Sequence, residues 1–375
     1  MANVLILGGG FGGLVVAEEL AGSLGSGDQI TVVSPNREFT FYPGLVQLAF
    51  GRLDPEDIRI DLDEKLRELG VRYVQGEMIR IHPVRQMVEV AGDDFRGEIA
   101  YDYLVIALGR RLATEKVPGF FENAQHLLGV KAARKFGKLV EDFREGKIIV
   151  GLCPDARLPV PVCETAFALA KKFEDQMKDG RVRVSVIFPD SLESAFGGAS
   201  LHKELEAAFA RHGITVHYNV PINKISFNEV SSSEGHVINA DLLMLVPPFR
   251  GNAALRDLGI TDESDFVMVD GKMRVHGMRQ AYAVGDIVAF SGPKLAHMAV
   301  RQAKVAAANI ASEIAGEEPN VEYYHEIAAV IDAGGPDSIY LHYGIWDDAM
   351  YRLKKGRFWG WAKDAHDALW RTQHR

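Results

Sequence analysis

The chain begins with a short apolar run that leads directly into a cluster of glycines. Residues 4–7 (Val-Leu-Ile-Leu) have the composition of a strand buried on both faces, and a helical stretch over 14–24 and a second strand over 29–33 follow the glycines. Within the cluster at 8–13 (Gly-Gly-Gly-Phe-Gly-Gly), Gly8, Gly10 and Gly13 have the spacing G-x-G-x-x-G, and Gly12 is a further candidate for cofactor binding. In such a unit the glycines permit a tight turn, a close approach of backbone to a pyrophosphate, and close packing of helix against strand. The pattern therefore predicts a dinucleotide whose phosphates lie at the helix N-terminus.

Strands and helices alternate along most of the remaining chain. The predicted elements are strands at 71–74, 86–90, 103–109, 147–150, 182–188 and 280–286, and helices at 164–177 and 296–314. This alternation indicates the α/β class, with two Rossmann-like dinucleotide-binding domains of three-layer ββα architecture and a C-terminal amphipathic helical segment. We expect residues 1–115 and 241–315 to form the first domain, 116–240 the second, and 316–375 the C-terminal segment.

Composition and charge exclude several classes of protein. Across 375 residues, 47% are hydrophobic and 25% are charged, which is ordinary for a globular chain. A net charge of −9 argues against general nucleic-acid binding. Two cysteines cannot build a disulfide scaffold, and the histidines have no metal-ligand spacing, so we expect no metal. No apolar run is long enough to span a bilayer and no cleaved leader is evident, so a cytoplasmic location is expected.

Neutral residues end the second strand, where the ribose of a dinucleotide usually meets an acidic side chain. Ser34, Pro35 and Asn36 occupy this position. Ser34 or Asn36 could bond the ribose as a neutral polar group in place of the usual acidic side chain.

Two later motifs bear on which dinucleotide is bound. Ala107 and Gly109 belong to an A-x-G that closes a buried strand, and an A-x-G-D ends at Gly285 and Asp286. Together with the N-terminal glycines, these motifs resemble the flavin disulfide-reductase-like superfamily. The resemblance implies FAD at the first site, with Asp286 bonded to the ribityl chain. It also implies non-covalent FAD, because no cysteine lies at the family's covalent-attachment positions.

The second domain lacks the glycines that a pyridine nucleotide needs. No C-x4-C follows the first helix, which excludes the dithiol branch of the superfamily. After the strand at 147–150 the sequence is Gly-Leu-Cys-Pro-Asp-Ala-Arg-Leu-Pro-Val-Pro over 151–161, where prolines and bulky side chains block the approach to a pyrophosphate. NADH or NADPH should therefore reduce the flavin poorly.

A degenerate nucleotide site within such a domain resembles the sulfide:quinone oxidoreductases and the flavocytochrome c sulfide dehydrogenases. Residues 39–44 (Phe-Thr-Phe-Tyr-Pro-Gly) and 293–299 (Pro-Lys-Leu-Ala-His-Met-Ala) also resemble that branch, and the likeness extends to about residue 345. It implies electron transfer from a small donor through FAD to a membrane quinone. The alternatives are a type II NADH:quinone reductase and a non-catalytic flavin-binding or sensor protein.

The cysteines depart from the pattern of this family. The family carries C-x-G-P-x-x-E here; aligned on Glu164, its first cysteine falls on Leu158, and its second falls near 329–331, where none is present. Cys153 and Cys163 could still form a redox pair across the proline-rich loop, which requires an accessible thiolate and a resolving thiol. The alternative is two packed cysteines without a redox role.

Three further residues are candidates for the reaction. Glu164 matches the family glutamate near the flavin, where it could give a proton to the quinone; the alternative is a glutamate that simply begins a helix. Lys294 precedes a helix that begins near Ala296 and whose positive end, by resemblance, faces the flavin pyrimidine; both would stabilise anionic reduced flavin. His297 is a candidate for the quinone pocket or a structural histidine.

The C-terminal segment 351–375 differs from the rest of the chain in charge and in aromatic content. It carries a net charge of +5, and the four tryptophans of the chain all lie between Trp346 and Trp370. On a helix, one face would combine Phe358, Trp361, Ala362, Ala365, Ala368 and Leu369, with Trp359 and Trp370 at its margin. The opposite face would combine Lys363, Asp364, Asp367 and Arg371. This is typical of an interfacial helix on the cytoplasmic membrane, or of a helix packed on its own domain or in a homodimer. Removing 351–375 is expected to leave FAD bound, because the flavin motifs end near residue 309.

Overall fold

The structure is a computed structural model and describes residues 1–25, 27–93, 95–347 and 349–375. Its strands, in chain order, are β1 (Asn3–Leu7), β2 (Gln29–Ser34), β3 (Glu38–Thr40), β4 (Arg59–Asp61), β5 (Arg72–Gln75), β6 (Glu77–His82), β7 (Met87–Ala91), β8 (Arg96–Ala100), β9 (Tyr103–Ile106), β10 (Arg111–Leu112), β11 (Gly146–Leu152), β12 (Val182–Ile187), β13 (Thr215–His217), β14 (Ile222–Ser226), β15 (Glu229–Ser232), β16 (Val237–Asn239), β17 (Leu242–Val246), β18 (Phe249–Arg250), β19 (Ala281–Ala283), β20 (Glu326–Ile331), β21 (Ile339–Gly344) and β22 (Tyr351–Lys355). Its helices are α1 (Phe11–Ser23), α2 (Leu45–Ala49), α3 (Leu62–Glu68), α4 (Phe120–Asn123), α5 (Val130–Asp142), α6 (Pro159–Lys172), α7 (Glu174–Lys178), α8 (Leu192–Ala195), α9 (His202–Arg211), α10 (Ala296–Ile314) and α11 (Arg357–His374).

The first sheet is parallel and has the strand order β19-β9-β1-β2-β5. Val4 to Leu7 of β1 are all buried, as their unbroken apolar sequence predicts for a strand covered on both faces. Helices α1 and α10 pack against each other beside this sheet, and the antiparallel sheet β6-β7-β8 accompanies it. The first Rossmann-like unit is therefore built from two separate stretches of the chain, an N-terminal one and a later one that contains β19 and α10.

The second sheet is also parallel, with the order β13-β12-β11-β17, and is accompanied by the antiparallel sheet β14-β15-β16. Strand β17 pairs with β11, so residues 242–246 belong to the second sheet. The boundary expected at residue 240 had assigned them to the first domain. Helix α6 begins at Pro159, earlier than expected, because proline is well tolerated in the first turn of a helix. The prediction of two Rossmann-like units is confirmed.

The C-terminal part forms an antiparallel sheet, β20-β21-β22, followed by α11. Residues 353–355 lie in strand β22, so the helix of this segment begins only at Arg357. Within the described ranges, no helix has the length and apolar character needed to cross a bilayer.

Candidate functional site

The glycine turn between β1 and α1 has the geometry that its spacing predicts. Gly8 has a φ of +112°, and a Cβ added to it would overlap the carbonyl oxygen of Ala107 at the end of β9. A Cβ on Gly13 would overlap the carbonyl oxygen of Gly8, which shows how closely α1 approaches the strand. A Cβ on Gly10 would meet nothing within 4 Å. The first and third motif glycines are therefore required by the protein's own packing, whereas the second faces open space.

The two later motifs converge on this turn. A Cβ on Gly12 would lie 2.8 Å from Cγ2 of Val284, which directly precedes Gly285. Gly285 has a φ of +81°, and its N–H donates to Oε1 of Gln302 on α10 at 2.7 Å. Gly109 has a φ of +67° and open space at its Cβ position. Three segments that are distant in sequence thus meet at one end of the first sheet.

The N-terminus of α1 is suited to an anion. Gly10 is the N-cap residue, and no side chain within the described ranges caps the helix there. The first N–H groups of a helix have no partner within the helix and lie at the positive end of its dipole. The open space at Gly10 and these donors fit a dinucleotide pyrophosphate.

The residues at the end of β2 divide into one buried and two exposed positions. Ser34 is buried, and its hydroxyl donates to the carbonyl of Asn36 at 3.2 Å. Pro35 and Asn36 are exposed. The Asn36 side chain is therefore the more accessible polar group for a ribose.

Asp286 forms an ion pair with Arg110. The sequence motifs did not single out Arg110. The guanidinium lies 4.4 Å from the ring centroid of Phe249 and 5.7 Å from that of Tyr42. The Nε atom of Arg110 is buried and has no hydrogen-bond partner in the described structure. Its position immediately after the A-x-G motif is the sequence clue that could have identified it.

Lys294 is buried just before α10, and its Nζ donates to the carbonyl of Val288. Nζ also lies 4.7 Å from the ring centroid of Phe266. Burial, reinforced by the nearby positive charge of Arg157, lowers the pKa of Lys294 well below its usual range. Asp286, Lys294 and His325 together line a cavity of about 10 Å³.

Arg157, within the loop expected to have lost its nucleotide site, crosses to the first domain. Its side chain donates to the carbonyl of Gly292 at 2.6 Å and to that of Phe290, and its own carbonyl accepts from the N–H of Lys294 at 2.8 Å. The loop is thus bonded to the segment that leads into α10. Sequence reasoning missed this contact, because its partners are far apart along the chain and no local pattern connects them.

The two cysteines are fully buried and do not form a disulfide. Cys163 packs in the main hydrophobic core, whereas Cys153 packs in a separate cluster around Val117 and Phe120. Burial raises the pKa of both thiols above the usual range. A thiol in such a position has neither the access nor the thiolate character that redox chemistry needs.

Glu164 is buried and ion-paired with Lys363 of α11. It also accepts the N–H of Asp332 at 2.9 Å, and Asp332 lies 3.7 Å from Arg52 in a further ion pair. Burial raises the pKa of Glu164, although the Lys363 ammonium opposes this shift. Glu164 and Lys363 lie at the edge of an open groove of about 1190 Å³, away from the glycine motifs.

His297 contacts the backbone of the neighbouring strand β20. Its Nε2 lies 3.1 Å from the backbone nitrogen of Ala328 and 3.1 Å from the carbonyl oxygen of Glu326, both in β20. Burial lowers the pKa of His297 to about 3. These contacts favour the structural interpretation of His297 over a place in a quinone pocket.

Helix α11 has its polar face inward and its apolar face outward. Phe358, Trp361 and Leu369 are 60%, 67% and 56% exposed. Trp359 instead stacks on Tyr340, with 4.4 Å between ring centroids, and Trp370 is only 9% exposed and so is not available to a lipid interface. The helix thus keeps an exposed aromatic face although it packs on its own chain.

Comparisons with known proteins agree with this architecture. The family model described as pyridine nucleotide-disulphide oxidoreductase matches residues 2–303. The mouse mitochondrial sulfide:quinone oxidoreductase is 23% identical over 300 residues, which are 76% of this chain and 65% of that protein, so the chain spans just under two thirds of that relative. The sulfide-quinone reductase of Aquifex aeolicus is 26% identical over 336 residues, covering 83% of this chain and 76% of that protein.

The X-ray structure of the Aquifex aeolicus sulfide:quinone oxidoreductase superposes with a TM-score of 0.92 at 23% identity, covering 100% of this chain and 92% of that chain. The two proteins therefore share one fold. The type II NADH:quinone oxidoreductase of Staphylococcus aureus is 21% identical over 366 residues, covering 91% of this chain and 90% of that protein.

Proposed function

This chain belongs to the pyridine nucleotide-disulphide oxidoreductase family, and we propose that it is an FAD-dependent oxidoreductase that passes electrons from a small donor to a membrane quinone. The observation that carries the proposal is the convergence of the three flavin motifs at the open N-terminus of α1. The similarity to proteins named as quinone reductases supports the acceptor.

The residues at this convergence would hold FAD without a covalent bond. The α1 N-terminus at Gly10 would take the pyrophosphate, Asn36 the adenosine ribose, and Asp286 the ribityl chain. Both cysteines are buried in apolar clusters, which supports non-covalent binding. Bound FAD would supply the two-electron redox chemistry of the reaction.

The protein's own contribution to electron transfer would be electrostatic. Arg110 places a positive charge beside Asp286, and α10 directs its N-terminus to the cavity that Asp286 lines. Positive groups fixed in a dry site favour a neighbouring group that gains negative charge. Lys294, whose pKa is lowered by burial, is also placed to accept a proton there.

The outward face of α11 would bring the protein to its quinone. Quinones dissolve in the bilayer, and an exposed aromatic face flanked by basic residues is typical of a helix that lies in the membrane interface. Phe358, Trp361 and Leu369 supply the apolar face, and the segment that contains them carries a net charge of +5. We propose peripheral attachment to the cytoplasmic membrane; burial of the same face in a homodimer is the competing outcome.

The electron donor separates this proposal from a type II NADH:quinone reductase. The loop at 151–161 has no glycine-lined turn, α6 begins in it at Pro159, and Arg157 bonds it to the first domain. We therefore propose that NADH and NADPH are poor donors. The buried thiols further argue against sulfide oxidation through Cys153 and Cys163.

Anaerobic mixing with sulfide, NADH and NADPH in turn, with the flavin absorption band monitored, tests the proposal. Each reduced sample is then mixed with a short-chain quinone. Reoxidation by quinone is the expected result, with little bleaching by either nicotinamide. Rapid stoichiometric bleaching by NADH would favour the type II reductase, and a flavin that no donor and quinone can cycle would favour a non-catalytic flavin protein.

A further inference from the structure

The most unexpected contact in the molecule joins the last helix to the first glycine turn. The Trp370 ring lies 4.9 Å from Phe11, 5.4 Å from Phe39 and 5.1 Å from Phe41, measured between ring centroids. His374, one turn further along α11, stacks on the indole at 4.0 Å. A ring near the C-terminus thus closes a cluster whose phenylalanines all come from the N-terminal part of the chain.

The three phenylalanines belong to α1 and to the segment before Tyr42, whose ring lies 5.7 Å from the Arg110 guanidinium that pairs with Asp286. Phe11 is the first residue of α1 and directly follows Gly10, the residue with open space in front of it. Phe39 lies in β3, and Phe41 immediately precedes the turn Tyr42–Gly44. Trp370 therefore packs simultaneously on the start of the phosphate-facing helix and on the segment that follows β3.

Polar contacts fix the end of α11 in this position. His374 Nδ1 lies 2.7 Å from Glu18 Oε2 on α1, and the Arg371 guanidinium donates to the carbonyl of Asp57 at 3.1 Å. Lys65 on α3 lies 3.5 Å from the same Glu18 carboxylate. The inward-facing tryptophan is therefore held by groups on three separate segments of the first domain.

We propose that Trp370 is a positioning residue for FAD: it keeps the start of α1 and the segment after β3 in the geometry that retains the cofactor. The inference rests on the proposed FAD site at the glycine turn. It differs from the expectation that the tail can be removed without consequence for the flavin, because the tail supplies one side of the aromatic cluster. Pre-positioned walls strengthen binding because less order must be created when the ligand enters.

The test compares two tryptophans on the same helix. Trp370→Ala removes the ring from the cluster, whereas Trp361→Ala removes an exposed ring that is 67% accessible. The purified holoprotein of each variant is diluted into buffer without lipid, and the release rate of FAD is followed by its fluorescence. Binding to vesicles with anionic lipid is then measured by co-sedimentation.

We expect Trp370→Ala to release FAD about tenfold faster, which corresponds to about 1.4 kcal/mol. Trp361→Ala should release FAD at the wild-type rate but bind vesicles more weakly. Trp370→Phe should restore most of the retention because it keeps an aromatic ring in the cluster. Trp370→Leu provides a milder change should the alanine variant fail to fold, and it too should release FAD faster than wild type.

Equal FAD release by wild type, Trp370→Leu and Trp370→Ala would overturn the inference. So would faster release in Trp361→Ala, because loss of the outward ring would then matter as much as loss of the inward one. Wild-type protein that purifies without FAD and cannot be loaded with it would instead overturn the proposed function, so the two failures are distinguishable.

Discussion

Replacing Lys363 by methionine should destabilise the protein because it leaves the buried carboxyl of Glu164 without its counter-charge. Methionine keeps much of the length of the lysine side chain but carries no charge. The remaining partner of Glu164 is the N–H of Asp332, at 2.9 Å. Breaking a buried ion pair by removing one member typically costs about 3–5 kcal/mol, because the other member stays desolvated and uncompensated.

The loss should depend on pH in a defined direction. Burial already raises the pKa of Glu164, and removing Lys363 removes the charge that opposes this shift. A carboxyl with a folded-state pKa above its unfolded value of about 4.3 contributes most to stability below that pH. This contribution disappears as pH rises through the folded-state pKa, so Lys363→Met should be most destabilised, relative to wild type, at neutral and alkaline pH.

The measurement is thermal unfolding of wild type and variant at a fixed FAD concentration from pH 5 to pH 8, since bound cofactor stabilises the folded state. The double variant Glu164→Gln/Lys363→Met is the matched control; its neutral amide can still accept the Asp332 N–H, so it should recover most of the lost stability. A Lys363→Met protein as stable as wild type at pH 8, or one whose deficit shrinks as pH rises, would refute the reasoning.

Three other predictions concern the cofactor site, the thiols and the histidines. Gly10→Val should abolish FAD binding while leaving far-UV circular dichroism intact, because its Cβ meets no protein atom within 4 Å, whereas Gly13→Ala should impair folding; FAD retained by Gly10→Val would contradict the assignment. If sulfide reduces the flavin at all, it should do so at the wild-type rate in Cys163→Ser and in Cys153→Ser, because burial raises the pKa of both thiols. Stopped-flow measurement of flavin reduction checks this. Burial lowers the pKa of His297 to about 3 and that of His325 to about 4, so stability should fall as pH drops below the unfolded value of about 6.5. His297→Gln should flatten that acid-side decline in a urea-unfolding series, and an unchanged slope would count against the buried neutral histidine.

The sequence was most informative where local rules act. The glycine spacing predicted which positions the packing requires and which face open space, and helix 296–314 has the bounds that its apolar periodicity indicates. The helix depends on side chains that repeat from one turn to the next, and the glycine positions depend on the space around a single Cα atom. The same rules placed Phe358, Trp361 and Leu369 together on one face of α11.

What the sequence could not predict are partnerships across the chain. Periodicity defined both faces of α11 but not which of them the protein would cover, so the inward position of Trp370 was missed. The Glu164–Lys363 pair joins residues 199 positions apart, and Arg157 reaches carbonyls 133 and 135 positions away. Side chains of these types are common on surfaces, and only the fold selects the ones that become buried and paired.

The contact between Phe11 and Trp370 also restricts when the protein can finish folding. Translation of 375 residues at about 5–20 residues per second takes on the order of 20–75 s. For most of that time β1 and α1 have left the ribosome, but β19, α10 and Trp370 have not all been synthesised. Contacts this distant in sequence form slowly, and their unpaired apolar segments invite aggregation in the interval. Until the later segments are made, the nascent N-terminal segment therefore exposes apolar side chains that are fully buried in the finished molecule.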